Sequence, residues 1–382
     1  MKKIYVATKS RGFLVNLFNS DIDNIKFYYD NDKIYEVNTK LKIILSNLVK
    51  SRMADHLGII QRINVKENSY DYIFSYNRFL KTKSNYVIYL ENPLALVHYS
   101  TERIKTFVGK LKLKKYFYDP CLKSIICLSK ACFDTIHNFY SIPKNVKVEQ
   151  VYPFVPKNPL TSKENIKEKS HSKEINCLYI SSNFILKGGR DILLTFKKLH
   201  DVGINNIKLK VITKLDNLDK KIREEINENN NIELYDFKFT KDELNHFYND
   251  SCILLNPTRQ DSFSLVVLEA MKSGNVILTT DLYAIPEMVE DEYNGFLTKP
   301  KFRFFDYNNM PNRYVWNNRN KTIYSDYIDN SVVDFLFEKL IYLNKNRNIL
   351  EKMALNSFKK ANSGEFSEDY IKNKWKNIFE NG

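Results

Sequence analysis

The segment Asn256–Thr280, NPTRQDSFSLVVLEAMKSGNVILTT, decides how the chain is read. It follows CILLNP (Cys252–Pro257), a short apolar run closed by a proline, which is the pattern of a buried parallel strand. The loop Thr258–Phe263 leads into a helical pattern starting near Ser264, and VILTT is a second buried strand. Strand, helix and strand in this order make a parallel crossover unit. Asp261 stands where a helix N-cap or a loop acid belongs. Glu269 follows eight residues later, roughly 12 Å along a helix axis and within ~80° of the same side. Between the two acids lie the backbone N–H groups of Ser262, Phe263, Ser264 and Leu265 at a helix start. An acid, then helix-start amides, then a second acid suits a nucleotide sugar: amides for the diphosphate, one acid for the sugar, one for the ribose hydroxyls. The plainer reading is that Asp261 only caps the helix and Glu269 is an exposed acid. Glu269 sits in the apolar run VVLEAM, however, and an acid buried there needs a partner.

Two neighbouring segments have the same architecture. In YISSNFILKGGRDILLTFKKL (Tyr179–Leu199) a strand ends near Ser181 and Lys187-Gly188-Gly189 opens a helix. Glycines allow close backbone approach, a helix start offers N–H groups, and a lysine adds a point charge for phosphate. Lys187 is equally readable as a surface lysine on a loop. In TTDLYAIPEMVEDEYNGFL (Thr279–Leu297), Pro286 fits the first turn of a helix and Asn294-Gly295 marks a tight turn before another strand.

Outward from this block, the whole chain alternates short apolar runs with helical patterns. Toward the N-terminus the runs are KKIYVAT, YDYIFSY, NYVIYLE, SIICLS and KVEQVYP, with helical patterns at Leu41–Leu57 and Lys130–Tyr140. Beyond the polar stretch Val155–Glu174 come INCLYIS, KLKVIT and NIELYDF. This predicts an α/β protein of two doubly wound Rossmann-like domains, whose ligand sites at the strand C-terminal ends face a central cleft. The expected boundaries are 1–156 for a basic N-terminal domain, 157–174 for a linker or exposed loop and 175–365 for a C-terminal domain. A C-terminal helix, 366–382, is expected to pack back on the N-terminal domain. A length of 382 residues supports two domains, and 43% apolar residues exclude wholesale disorder. Five cysteines, none spaced as CxxC, argue against a disulfide framework or a zinc ribbon and fit a reducing cytosol. No signal peptide and no spanning helix is expected. Lys299–Asp329, polar and aromatic, is expected to be an elaborated loop, with sugar stacking or an interface as the other reading.

The charge is uneven. Residues 1–156 carry 25 Lys and Arg against 13 Asp and Glu, a net of +12, while residues 157–382 carry 34 against 32, a net of +2. RIKTFVGKLKLKKYFY (Arg103–Tyr118) has six positive and no negative charges, and KLKIILSNLVKSR (Lys40–Arg52) is similar. Either these are solvated helix faces, or they form a surface that rests on an anionic membrane, where each cation contributes ~1 kcal/mol.

The run DSFSLVVLEAMKSGNVILTTDLYAIPEMVEDEYNGFL, with its acid, seven residues, Glu, PE pair and NG turn, resembles the donor-binding block of the retaining family-4 (group 1) glycosyltransferases. The upstream KGG and TKDELNHFYNDSCILLNP fall in the order that family shows, so residues 175–300 carry the resemblance. LKSIICLSKACFDTI and VEQVYPFV extend it more loosely into the N-terminal half. The resemblance implies the GT-B fold and a hexose-type transfer from a nucleotide-diphosphate sugar, a UDP-sugar foremost, to a glycan or lipid-linked acceptor. The setting would be bacterial surface polysaccharide, glycolipid or glycoprotein biosynthesis. It implies no cofactor and no metal.

The resemblance also implies roles. Lys187 would contact the pyrophosphate, Asp261 the transferred sugar and Glu269 the ribose. The amides of Ser262, Phe263, Ser264 and Leu265 would take phosphate and sugar oxygens, and the base would lie near Phe237. Asp261 replaces the family's usual Glu. Ser182 stands where the family often has Arg, with Arg190 or Arg259 as candidate substitutes. On the acceptor side, relatives place a His at the end of a strand, where NYVIYLENP ends in Glu91 with His98 further on. Glu91 is then a base, a sugar ligand or a capping acid, and His98 an acceptor-side residue or a structural one. The loop residues Arg11 and Gly12 complete the expected acceptor side. In such enzymes the departing phosphate is thought to help deprotonate the acceptor on the same face, and Lys187 and helix starts would stabilise the departing charge. Asp21-Ile-Asp23 and Asp30-Asn-Asp32 read as turn acids, not metal ligands. The expected location is cytoplasmic, peripheral on the inner face of the cell membrane, with no nucleic-acid partner. Two alternatives stand beside this reading: a nucleic-acid-binding protein, suggested by a pI of about 9.2, and a catalytically degenerate transferase-like partner subunit.

Overall fold

The computed structural model describes residues 1–8, 12–29, 51–66 and 69–380. Arg11, the acids Asp30 and Asp32, and most of the basic stretch Lys40–Arg52 with its helical pattern lie outside the described residues. The chain divides into two units, Met1–Val155 with Glu365–Gly382, and Pro156–Gly364.

The first unit contains β1 (Lys2–Val6), α1 (Gly12–Phe18), β2 (Ile25–Tyr28), α2 (Arg52–His56), β3 (Arg62–Asn64), β4 (Tyr72–Tyr76), β5 (Phe79–Lys81), β6 (Tyr86–Leu90), α3 (Phe107–Phe117), β7 (Leu122–Cys127), α4 (Lys130–Phe139) and β8 (Lys147–Gln150). Its main sheet is parallel, in the order β2-β1-β4-β6-β7-β8. β4 and β6 are buried at every position, as strands covered on both faces must be. Ser129 and Thr106 cap their helices by accepting N–H bonds from Cys132 and Gly109.

The second unit contains α5 (Lys163–Ser170), β9 (Ile175–Ser181), α6 (Gly189–Asp201), β10 (Ile207–Thr213), α7 (Lys220–Asn227), β11 (Ile232–Asp236), α8 (Lys241–Asp250), β12 (Ile253–Asn256), α9 (Leu265–Lys272), β13 (Val276–Thr280), α10 (Ile285–Met288), β14 (Gly295–Thr298), α11 (Arg313–Asn317), α12 (Asn330–Lys345) and α13 (Arg347–Asn362). Its sheet is parallel, in the order β11-β10-β9-β12-β13-β14. The chain therefore winds outward from β9 in one direction and from β12 in the other. Such a doubly wound sheet opens a crevice beyond the strand C-termini where the order reverses, here between β9 and β12.

Two expectations are revised. Residues 157–174 were read as a linker or exposed loop, because their composition is almost entirely polar. They instead hold α5, closed by a capping box between Ser162 and Asn165, with Ile166 fully buried in the second unit's core. One apolar residue in the right place is enough to dock so short a helix. Residues 299–329 are not only loop. Phe304 stacks on Trp316 at 4.2 Å, and Phe305, Val315 and Ile323 are buried beside them. The terminal helix α14 (Glu368–Glu380) belongs to the first unit, where Trp375 is fully buried 5.1 Å from the ring of Tyr89 and 5.6 Å from that of Phe74.

Candidate functional site

The β9–α6 loop and the β12–α9 loop meet at the reversal point of the second sheet. Gly188 has φ +75°, and a Cβ there would lie 2.2 Å from the carbonyl oxygen of Pro257, so only glycine lets the two loops touch. The Arg259 N–H donates to the Leu186 carbonyl at 3.0 Å and ties them together. This contact brings Lys187 onto the other loop. Its Nζ donates to the Gln260 carbonyl at 2.8 Å and to Oδ2 of Asp261 at 2.6 Å.

Asp261 does more than pair with Lys187. Its Oδ1 accepts from the backbone N–H groups of Ser262 and Ser264, both at 3.0 Å, and from that of Phe263 at 3.4 Å. Ser264 takes a left-handed conformation (φ 68°), and its hydroxyl accepts from Nδ2 of Asn256 at 3.1 Å. Burial pushes the Asp261 carboxyl up, but Lys187 and the hydrogen bonds outweigh it and hold the group below the ordinary aspartate range. One carboxylate thus collects a lysine and three amides, a donor set that binds anions in general. Asp261 occupies an anion site built by its own loop and by Lys187 of the β9–α6 loop. Leu265 opens α9 directly behind it.

Glu269 lies one turn along α9 and finds its partner on α8, where the Tyr248 hydroxyl donates to Oε2 at 2.7 Å. Burial raises the Glu269 carboxyl above the usual range, against the Tyr248 hydrogen bond and the Lys241 charge. Phe237, just past β11, is a half-exposed ring whose N–H donates to the Thr213 carbonyl at 3.0 Å. Ser182 is exposed on the β9–α6 loop. Arg190 lies 3.6 Å from both Glu225 and Asp326.

Arg259, named as a substitute cation, is committed elsewhere. It is fully buried, paired with Asp191 at 3.1 Å, bonded to the carbonyls of Ser325 and Tyr327, and stacked 4.0 Å from the Tyr327 ring centroid. The Asp329 N–H also reaches Asp191 at 2.8 Å. Residues 325–329 therefore brace the segment leading into Gln260 and Asp261.

In the first unit, Glu91 follows β6 and is buried. It accepts hydrogen bonds from the hydroxyls of Tyr76 and Tyr99, while its own N–H donates to Oδ1 of Asn77 at 3.0 Å. His98 and Tyr99 are both left-handed (φ 58° and 60°), which turns Tyr99 back toward Glu91. Nε2 of the buried His98 accepts the Gln61 N–H at 3.1 Å, a packing role. Gly12 opens α1, and among the described residues no heavy atom lies within 4 Å of where its Cβ would stand.

Within the second unit, Lys187, Asp261, Ser262, Phe263 and Ser264 converge, with Glu269 on α9, the helix that follows. Within the first, Glu91 gathers two tyrosines. Tyr76, Tyr99 and Tyr248 were not read from the sequence, since each lies on a different element from the acid it serves and no local pattern marks it. Among the described residues no group of three or more His, Cys, Asp or Glu side chains has the arrangement of a metal site.

Residues 176–303 match the family model for group 1 glycosyl transferases. They contain Lys187, Asp261, Glu269 and both loops of the reversal point. A curated relative from Klebsiella pneumoniae, described as an uncharacterized 41.2 kDa protein in the cps region, is 27% identical over 201 residues, which are 49% of this chain. The alignment spans 52% of that relative, about half its length. Among solved structures, Anabaena HepE in complex with UDP is similar over the whole of both chains, at 13% identity and a TM-score of 0.64. HepE in complex with UDP-glucose gives 14% and 0.62, again over the whole of both chains. WaaG, described as a glycosyltransferase involved in lipopolysaccharide biosynthesis, gives 13% and 0.58 over the whole of both chains. These likenesses show the fold: the chain has the two doubly wound α/β domains of the GT-B class.

Proposed function

We propose that the chain is a glycosyltransferase that moves a hexose-type sugar, with retention, from a UDP-sugar to a glycan or lipid-linked acceptor in bacterial surface polysaccharide, glycolipid or glycoprotein biosynthesis. The observation that carries this reading is the anion site at the sheet reversal point, where Lys187 and the amides of Ser262, Phe263 and Ser264 converge on one carboxylate. The group 1 match over those same residues supports it, as do the UDP and UDP-glucose complexes of the structurally similar HepE. The cps-region relative supports the polysaccharide setting.

In this reading the diphosphate displaces the Asp261 carboxylate from Lys187 and the amides. Asp261, released, accepts a hydroxyl of the transferred sugar. Glu269, its second oxygen left over from Tyr248, takes the ribose hydroxyls, and Phe237 lies under the base. Arg190 and Ser182 border the diphosphate from the β9–α6 side. The bond between the anomeric carbon and the β-phosphate oxygen breaks. That oxygen takes the acceptor hydroxyl's proton, and the acceptor oxygen forms the new bond on the same face. Lys187 and the amides stabilise the charge that grows on the leaving diphosphate, so no metal and no cofactor enters. Glu91, together with Arg11 and Gly12, serves the acceptor side, and His98 holds the backbone of Gln61. The protein works in the cytoplasm, on the inner face of the cell membrane.

The test is a metal-free titration with UDP, GDP, TDP and CMP, followed by transfer assays with and without EDTA. A ligand that binds the native state raises its melting temperature by mass action. Stabilisation by UDP, lost in Lys187→Ala, is the expected result. Transfer surviving in both Lys187→Ala and Glu269→Ala would sink the assignment.

A further inference from the structure

We infer that α2 and α3 of the first unit form a wedge that inserts into an anionic lipid surface, with lipid acyl chains around its apolar tip and headgroups on its lysines. This deepens the proposed membrane location by naming the residues that make the contact, and it uses none of the donor-site chemistry.

The inward side of α3 is ordinary core. Gly109, Leu113 and Phe117 recur every four residues and are buried, and the Phe117 ring lies 5.2 Å from that of Phe79 and 5.1 Å from that of Tyr140. The outward side is also apolar. Phe107 is 76% exposed, Leu111 53% and Val108 39%, at positions that share one face of the helix. On α2, Met53 is 64% exposed, and Leu57, directly after the helix, is 53% exposed. Of the sixteen large hydrophobic side chains exposed among the described residues, six lie on these two helices or directly after them: Met53, Leu57, Phe107, Val108, Leu111 and Tyr118. Singly scattered apolar residues need no explanation, but a cluster marks a contact surface.

The two helices are held together by design of the backbone. A Cβ on Gly58 would lie 2.7 Å from the Gly109 nitrogen, and a Cβ on Gly109 would lie 2.0 Å from the Arg103 carbonyl oxygen. The fully buried Arg103 pairs with Asp55 of α2 at 2.9 Å, and Lys112 Nζ donates to the Leu57 carbonyl at 3.0 Å. The apolar tip is therefore carried on a fixed support.

The charges around the tip choose the occupant. Among the described residues the local acids are engaged: Asp55 by Arg103, Glu102 by Lys105 at 2.9 Å, and Asp119 by Arg62 at 2.6 Å. Lys110, Lys114 and Lys115 are exposed on α3 with no acid on that helix. A partner must therefore be anionic at the rim and apolar at the centre, which is the layering of an anionic membrane interface. A nucleic acid would match the lysines but leave the aliphatic tip against a charged backbone. No helix among the described residues is long and apolar enough to cross a membrane.

The experiment is vesicle co-sedimentation of the full chain, with phosphatidylcholine alone and with added phosphatidylglycerol. Two variants are compared: Phe107→Ser with Leu111→Ser, and Lys110→Gln with Lys114→Gln and Lys115→Gln. The native chain is expected to bind the anionic vesicles only. The serine variant should lose about tenfold or more of that binding at every salt concentration, because acyl-chain burial is unscreened. The glutamine variant should lose it mainly at low salt. Both variants should keep the native melting temperature, since every altered side chain is exposed, and both should bind UDP as the native chain does. Equal vesicle binding by the serine variant overturns the inference. So does a dimer that the serine variant dissolves, or binding to an oligonucleotide in place of vesicles. Loss of UDP binding by the native chain would count against the transferase reading alone.

Discussion

If Asp261 occupies the phosphate position in the free protein, replacing it with asparagine should weaken the fold and strengthen nucleotide binding together. Asp261 accepts a charge-assisted hydrogen bond from Lys187 at 2.6 Å, and the two side chains are only 17% and 24% exposed. Such a bond contributes about 1.5–3 kcal/mol. Asp261→Asn keeps a carbonyl oxygen for the amides and loses the ionic partner. In a unit of about 210 residues, 1 kcal/mol moves the melting temperature by about 2–4 °C, so a fall of roughly 3–12 °C is expected at pH 7. The pH dependence fixes the cause. The Asp261 carboxyl is depressed in the folded state, so its contribution is complete above the unfolded value of about 3.9 and disappears as pH falls through the folded value. The gap between native and variant should close in that acid window. Binding moves the other way. UDP no longer has to break the Lys187–Asp261 bond, and the same 1.5–3 kcal/mol corresponds to roughly 10- to 100-fold tighter binding. Transfer should nevertheless be lost, because the sugar loses its acid. Calorimetry with UDP and a thermal melt across pH read both effects. Unchanged or weaker UDP binding by Asp261→Asn would refute the argument that the carboxylate holds the phosphate's place.

Three further outcomes are expected. Glu269→Gln should match or exceed the native melting temperature at pH 7, because burial holds the native carboxyl above its usual range and ionising it there costs stability. That advantage should vanish below the unfolded value of about 4.3, where both forms are neutral, while UDP affinity falls about tenfold at pH 7 in calorimetry. Arg259→Met leaves Asp191 buried without its cation and should cost about 3–5 kcal/mol in denaturant unfolding, with much of the loss recovered by adding Asp191→Asn. Trp375→Ala empties a fully enclosed site beside Phe74 and Tyr89 and should cost about 3–5 kcal/mol in the unfolding of the first unit, with the UDP affinity of the second unchanged.

The strands and helices around the site were legible because their signals are local. CILLNP and VILTT are apolar runs of strand length, and they became β12 and β13. Lys187-Gly188-Gly189 lies at a helix start, as its glycines suggest, and Pro286 stands in the first turn of α10. Glu269 announced by its apolar neighbours that it needed a partner, but not which one. The amides of Ser262 and Ser264 stand just ahead of α9, and Asp261 turns onto them, as the capping reading of that acid allowed. The polar composition of 157–174 hid α5, because composition averages over the one residue, Ile166, that docks it.

By itself the sequence determined the order of elements, the glycine and acid spacing of the donor block and the gathering of positive charge in one half. Periodicity, turn chemistry and composition act over a few residues and survive in the linear chain. Only the tertiary structure decided which side chains meet. The pairing of β9 with β12 brings Lys187 to Asp261, 74 positions away, and the packing of α8 on α9 gives Glu269 its tyrosine. The fold of residues 325–329 over α6 removes Arg259 from the site. Hydrogen bonds and ion pairs act over about 3 Å, and no local pattern states which distant residues the sheet will bring within that reach.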